Sequence, residues 1–565
     1  MTGASEILAR PETHVTPELA ASYARSGVWR ERTLGSYLRA AVAAHGDRVA
    51  AVSRECSTGA RTEIAYGEYG GLVSRLCEGL TVLRVRPGDV VSVMLPNRHE
   101  FGALIFAIAE LGAVYSGIPV TYGRRETGFM LRRAASRVLV IPSSFRGIDH
   151  VALARELRTG EAPALKHVVV LGEAPREKGW LSFDELAAAD PGASRPDVDP
   201  GSLVHIGFTS GTTAEPKGVM NTHQTLDTVL RHWLEHVGSE LFGEETVNLI
   251  ASPVGHHTGF LWGVLMSAYL GGTAVFLDRW DANVAVDVIR NERVTAMIAA
   301  PTFLQDLLEG AGAGEDSLPS LRVISIPGAP IPRPLVSRAR EQLDCFICPA
   351  WGMTEYGIGI SGSPRLPRER VEATDGVAVA GCDIRVVGPG GEPAAHGEEG
   401  DLEIRGAGLF LGYYERPDAT REAIVEGWFR TGDRAVIDAD GFVSLTGRTK
   451  DVVIRGGENL PVAAIESLLH EHPRVAEAAV VGYPDARLGE RACAVLALRG
   501  GGALGLPEVA EFLLGRGLSK HFLPERVELV DTLPKTASGK IRKVELRSWL
   551  TDGAPGSGPA PDAAA

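Results

Sequence analysis

Thr209, Ser210, Gly211, Thr212 and Thr213 put four hydroxyl side chains and one glycine into five consecutive residues, and Lys217 and Gly218 follow. Such a loop offers many hydrogen-bond donors and a flexible backbone to a polyphosphate, with Lys217 as the cation. It is not a Walker A loop, because no Gly-Lys-Ser/Thr follows a glycine at the required spacing. His256 and His257 form a second polar spot, in Ser252-Pro253-Val254-Gly255-His256-His257-Thr258-Gly259-Phe260. No Asp, Glu or Cys accompanies the pair at ligand spacing, so it is not a metal site. Cys345 and Cys348 lie in an apolar run. On a strand, residues three apart face opposite sides, so these read as buried thiols rather than a redox or metal pair.

Elements must deliver these groups to one place. Leu203, Val204, Ile206 and Phe208 read as a buried strand leading into the hydroxyl-rich loop. Apolar runs at 90–95, 138–141, 167–171 and 247–251 alternate with helical patterns such as 34–44 and 103–111. That alternation predicts an α/β fold, with a large N-terminal domain of layered, largely buried sheets. Beyond a polar, Pro-rich stretch at 365–370, short alternating strands at 383–387 and 401–405 predict a β-rich subdomain over about 371–449. After Gly447-Arg448-Thr449-Lys450 the pattern turns to a compact α+β unit. The expected division is a loosely structured lead-in (1–30), a main domain (31–449), a small mobile C-terminal domain (450–550) and a disordered Gly/Pro/Ala-rich tail (551–565).

The chain has 565 residues, 44% of them hydrophobic and 23% charged, ordinary proportions for a soluble protein of more than one domain. With 57 basic and 71 acidic residues its net charge is −14, which argues against a general nucleic-acid binder. The first 30 residues lack a signal-peptide pattern and no apolar run is long enough to span a bilayer. Six scattered cysteines are not a disulfide framework, so a reducing cytoplasm is expected.

The loop Phe208–Gly218 resembles the phosphate-binding motif of the acyl-adenylate-forming (AMP-binding) superfamily, and the resemblance extends over about residues 20–550. Pro349-Ala350-Trp351-Gly352-Met353-Thr354-Glu355 is similar to that family's aromatic-Gly-x-Thr-Glu motif. The resemblance implies that Glu355 holds Mg²⁺, that Thr354 reaches the α-phosphate and that Trp351 lies against adenine. Read alone, Glu355 is equally a surface carboxylate. Ile326-Pro327-Gly328-Ala329-Pro330 resembles the adenine loop, with Pro327 in place of its first glycine. Asp433, in Trp428–Asp433, falls at the ribose-binding acid, with Arg448 as its partner; a carboxylate can accept both ribose hydroxyls. Lys540 ends a string similar to the family's C-terminal lysine motif, which implies a bridge between the acid and the α-phosphate. The alternative is a basic surface segment with Lys535, Arg542 and Lys543. The resemblance puts Lys450 at the hinge position and Gly456-Gly457 along a pantetheine tunnel; read alone, a glycine pair is more often a hairpin turn.

His256 falls at the position that gates entry of acid and thiol, and the apolar run Phe260–Val264 that follows it is expected to line the acyl pocket. The form of this motif resembles short- and medium-chain and cyclohexanecarboxylate CoA ligases. The implied reaction is ATP-dependent activation of an aliphatic or alicyclic acid, of primary or secondary metabolism, as acyl-AMP with release of pyrophosphate, then transfer to CoA. The alternative is transfer to a carrier protein or a separate acceptor enzyme, and an inactive binding homologue is a third reading. Two departures bear on this. Ala214 replaces a usual glycine, and Phe522 stands where a lysine is common, with Lys520 nearby. The oligomeric state is open at this level.

Overall fold

The computed structural model describes residues 4–190, 195–209, 216–310, 318–449, 451–455, 458–485, 488–536 and 539–552. Two large sheets form the main body. One has nine strands, in the order Val377–Ala378, Gly357–Ser361, Phe346–Met353, Val323–Ile326, Ala296–Ile298, Val247–Ile250, Thr273–Leu277, Val49–Arg54, Arg61–Ala65. Its centre is parallel and its edges are antiparallel. The other has seven, in the order Lys217–Thr222, Leu203–Thr209, Val114–Gly117, Val90–Val93, Val138–Pro142, His167–Leu171, Trp180–Ser182. Strands such as Val90–Val93 and Val138–Pro142 are buried along their whole length, which is why they read as continuous apolar runs rather than alternations.

The helix His99–Glu110 lies between the two sheets, touching strands of both, and every residue in it is buried. A helix apolar all round requires such a place. Of its two buried acids, Glu110 at the C-terminal end is held by Arg39 and by Arg195 at 2.8 Å.

A five-stranded antiparallel sheet spans Cys382–Arg448. The subdomain expected from about 371 begins later as a sheet, because Val377–Ala378 still pairs with Gly357–Ser361 at the edge of the nine-stranded sheet. Residues 451–552 form a separate α+β unit around the long hairpin Val475–Asp485 and Gly489–Leu498. That unit has its own buried cluster, including Val453, Ile465, Val480, Leu496 and Leu513. The helix Lys543–Asp552 closes the described chain, and the expected disordered tail lies almost entirely outside the described residues.

The lead-in is not loose. Ile7, Val15 and Trp29 are buried. Trp29 donates its indole N–H to the Ala407 carbonyl at 2.8 Å, and Arg30 grips Asp227 through two bonds of 2.8 and 2.7 Å. The apolar residues here are too sparse for a periodic signal, yet each finds a pocket on the main body. None of the six cysteines is in a disulfide; Cys345 and Cys348 fall in different core clusters, as opposite faces require. Among the described residues no helix is long and apolar enough to cross a membrane.

Candidate active site

The hydroxyl-rich loop is flanked by two paired strands. Leu203–Thr209 and Lys217–Thr222 pair antiparallel, and the register sets Thr209 opposite Lys217. Ser210, Gly211, Thr212, Thr213 and Ala214 lie outside the described residues. Lys217 reaches over the Tyr413 ring, with Nζ 4.6 Å from its centre, an attraction between a cation and the π face.

Trp351, Gly352, Met353, Thr354 and Glu355 follow from the strand Phe346–Met353 into a tight turn back to Gly357. Glu355 is buried, and its Oε1 accepts a 2.9 Å hydrogen bond from the Tyr413 hydroxyl. Burial pushes the Glu355 carboxyl up from its usual range, against the lowering effects of Tyr413, Lys540 and Arg448. Thr354 lies against Gly207, where a Cβ would sit 2.9 Å from its methyl group. The absence of a side chain at 207 lets the two strands' ends approach.

Asp433 and Arg448 face each other across a β ladder. Arg448 Nε donates to Asp433 Oδ1 at 2.8 Å, and Trp351 Nε1 donates to Oδ2 at 2.8 Å. Gly328 has φ +98°, and Pro327 ahead of it is buried at the end of Val323–Ile326. A proline with fixed φ is thus followed by the one residue type suited to the left-handed turn. A Cβ on Gly328 would lie 3.6 Å from Lys540 Cε. Ala329 is half-buried and Pro330 exposed.

Lys540 therefore enters this cleft from the C-terminal unit. Burial, and then the Arg448 charge, lower its ammonium to about 8, while Asp433 and Glu355 pull it up. Its loop is seated by Thr302, whose hydroxyl donates to the Gly539 carbonyl at 3.4 Å. Nearby contacts between the same units are Gln305 Nε2 to the Ala476 carbonyl (2.5 Å) and the Arg499–Glu309 ion pair (2.9 Å).

His256 also belongs here. Burial, then the Lys540 charge, hold it at about 3. His257, at about 4, and His205, well below its ordinary value, are neutral for the same first reason. His205 stacks on Tyr115 at 5.4 Å and lies 4.5 Å from the Phe260 ring centre.

The run expected to line an acyl pocket takes a different form. Thr258–Leu265 is a π-helix, and Phe260, Leu261, Trp262, Gly263 and Val264 are all buried in the core. Asn248 donates to the carbonyls of Trp262 (2.9 Å) and Gly263 (3.4 Å), groups the wide turn leaves accessible. This run is packed into the interior.

Sequence reasoning missed Tyr413 and His205. Tyr413 lies 58 positions from Glu355, and only the fold unites them. A lone histidine in the apolar strand Leu203–Thr209 was the available signal for His205. Lys450, Gly456 and Gly457 lie outside the described residues. Lys520 is exposed and Phe522 half-buried in a short 3₁₀ turn.

Comparisons with known proteins show the family of the chain. The model of the AMP-binding enzyme family matches residues 38–414, and that of the AMP-binding enzyme C-terminal domain matches residues 464–540. The medium-chain fatty-acid–CoA ligase of Escherichia coli K12 is 30% identical over 93% of this chain and 92% of its own. Triostin synthetase I of Streptomyces triostinicus is 34% identical over 95% and 98%. The crystal structure of the anthranilate CoA ligase AuaEII with anthranoyl-AMP superposes with a TM-score of 0.84 at 25% identity, covering 92% of this chain and 98% of that one. The chain belongs to the AMP-binding enzyme family and is an AMP-forming, adenylate-forming ligase.

Proposed function

We propose that the cleft between residues 31–449 and 450–550 joins a carboxylic acid to CoA by way of an acyl adenylate. The observation that carries this reading is the arrival of Lys540, from the C-terminal unit, beside Glu355, Asp433, Arg448 and His256. In the first step a carboxylate oxygen attacks the α-phosphorus of ATP, the bond to the β-phosphate oxygen breaks and pyrophosphate leaves. Both reactants are anions, so positioning and charge neutralisation do most of the catalysis. Lys540 bridges the carboxylate and the α-phosphate. Thr354 donates to the α-phosphate. Lys217, with Thr209, Ser210, Gly211, Thr212 and Thr213, holds the outer phosphates. Gly328, Ala329, Pro330, Trp351, Gly352 and Met353 surround the base, and Asp433 with Arg448 takes the ribose.

Magnesium fits the donor set. One buried carboxylate beside bound phosphates is a usual arrangement for that ion, and among the described residues no cluster of three or more His, Cys, Asp or Glu offers a protein cage instead. Glu355 would hold it, and the ion would neutralise phosphate charge.

In the second step the thiol sulfur attacks the acyl carbon and AMP leaves. Lys450 serves as the hinge, His256 gates the cleft, and Gly456-Gly457 lines the thiol's path. The acid is aliphatic or alicyclic, a reading that the medium-chain fatty-acid–CoA ligase among the relatives supports. The enzyme works in the cytoplasm.

Lys540→Ala tests the arrangement. It should reduce acid-dependent adenylate formation by about a thousandfold or more, as expected for a group acting in the transition state. Thioester formation from supplied acyl-adenylate should fall less than about threefold. Equal loss of both half-reactions would contradict the assignment.

A further inference from the structure

Trp351 has a bond that its place beside the base does not require. Its indole N–H points at the Oδ2 of Asp433, 2.8 Å away, while Arg448 occupies Oδ1 at the same distance. Both Trp351 and Asp433 are more than nine-tenths buried, at 9% and 6% exposure. The two donors come from different sheets. Arg448 is set opposite Asp433 by the ladder between Trp428–Ile437 and Val443–Arg448. Trp351 comes from Phe346–Met353 in the nine-stranded sheet, just before a register shift between Trp351 and Gly352.

The indole is itself held. It packs against Gly359, where an added Cβ would sit 3.5 Å from Trp351 Cζ3 and 3.0 Å from Cys382 Sγ. The ring thus lies at ordinary contact distance from the backbone at 359.

A carboxylate turns readily about its last torsion, which is broad and roughly two-fold. One bond from Arg448 leaves that rotation partly free. A second donor on the other oxygen stops it. A carboxylate has about four lone-pair directions, so two remain, in fixed orientation, for hydroxyl donors.

We propose that Trp351 is a positioning residue for ribose recognition. Its indole N–H locks Asp433 so that the remaining lone pairs meet a vicinal pair of hydroxyls, and nucleotide selectivity for the intact ribose depends on residue 351. This rests on the reading of Asp433 as the ribose acceptor. Phenylalanine would keep an aromatic ring at the site and lack the donor, which separates stacking from locking.

The experiment is calorimetric binding of ATP, 2′-deoxy-ATP and 3′-deoxy-ATP to the full chain, in wild type, Trp351→Phe, Trp351→Tyr, Asp433→Asn and the Trp351→Phe/Asp433→Asn double variant. Trp351→Phe should weaken ATP about tenfold and each deoxynucleotide less than about threefold, so that discrimination shrinks. Trp351→Tyr, with a donor restored on the ring, should recover part of it. In the Asp433→Asn background Trp351→Phe should change the ratio no further. Equal weakening of all three nucleotides by Trp351→Phe would mean stacking alone and would overturn the proposal, as would unchanged ATP affinity. A wild type that does not discriminate, or an Asp433→Asn variant that binds ATP unchanged, would overturn the ribose reading itself, and the proposal with it. Asp433→Asn approaches the same bond from its other end, so the test survives poor folding of the tryptophan variants.

Discussion

Tyr413 serves two of the charged groups at once. Its hydroxyl donates to Glu355 and its ring faces Lys217. Tyr413→Phe removes the first and keeps the second. A hydrogen bond to a charged group contributes roughly 1.5–3 kcal/mol, so loss of this one should lower kcat/KM for ATP about tenfold or more. The Mg²⁺ concentration for half-maximal rate should rise, and thermal stability should fall as well, because Glu355 is buried and loses a hydrogen-bond donor. An unchanged Mg²⁺ response would mean that Glu355 holds its place without the tyrosine. Residues of this kind mark the limit of sequence reading. Lys217, Glu355, Asp433, Arg448 and Lys540 stood out because each lies in a short string whose composition is distinctive. Tyr413 and His205 lie in ordinary strings, and their importance comes from tertiary proximity alone.

At the scale of elements, the parallel strands were legible because burial on both faces leaves continuous apolar runs, as in Val138–Pro142. The π-helical form of Thr258–Leu265 was not, since its apolar residues fit any buried helix; the polar Asn248 inside the strand Val247–Ile250 was the trace it left. The N-terminal segment is hard to read in the sequence for a related reason. Its attachment depends on single residues rather than on a period, foremost Arg30 on Asp227. The Asp227 side chain is fully buried and also receives the Tyr37 hydroxyl at 2.6 Å. Arg30→Ala leaves that charge uncompensated and should destabilise the fold by about 3–5 kcal/mol. Adding Asp227→Asn to Arg30→Ala should restore part of the loss. Chemical denaturation of the three proteins measures this, and a single variant as stable as wild type would show that the segment is not anchored there.

At the scale of the whole molecule, the fold keeps several imidazoles neutral. Burial lowers His14 and His257 to about 4, and His223 and His256 to about 3. In the unfolded chain the same groups titrate near the ordinary histidine value of about 6.5. Between about pH 6.5 and 3 the unfolded state therefore binds more protons, so stability is full above this window and is lost as pH falls through it. The urea midpoint should drop between pH 7.5 and 5.5, and His14→Gln should make the drop shallower. A midpoint that is flat across that range would contradict the burial of these rings. His256, Glu355 and Asp433 belong to the main body, and Lys540 joins them from the C-terminal unit, which touches Thr302 and Gln305.

A cleft that adenylates a carboxylic acid and passes the acyl group to CoA can be tested by acid-dependent ATP–pyrophosphate exchange over a panel of aliphatic, alicyclic and aryl acids, followed by product analysis with CoA. Exchange is expected with an aliphatic or alicyclic acid, and acyl-CoA with AMP once CoA is present. Exchange that yields no acyl-CoA, with the acyl group passing instead to a carrier protein, would contradict the choice of acceptor; no exchange with any acid would contradict the claim itself.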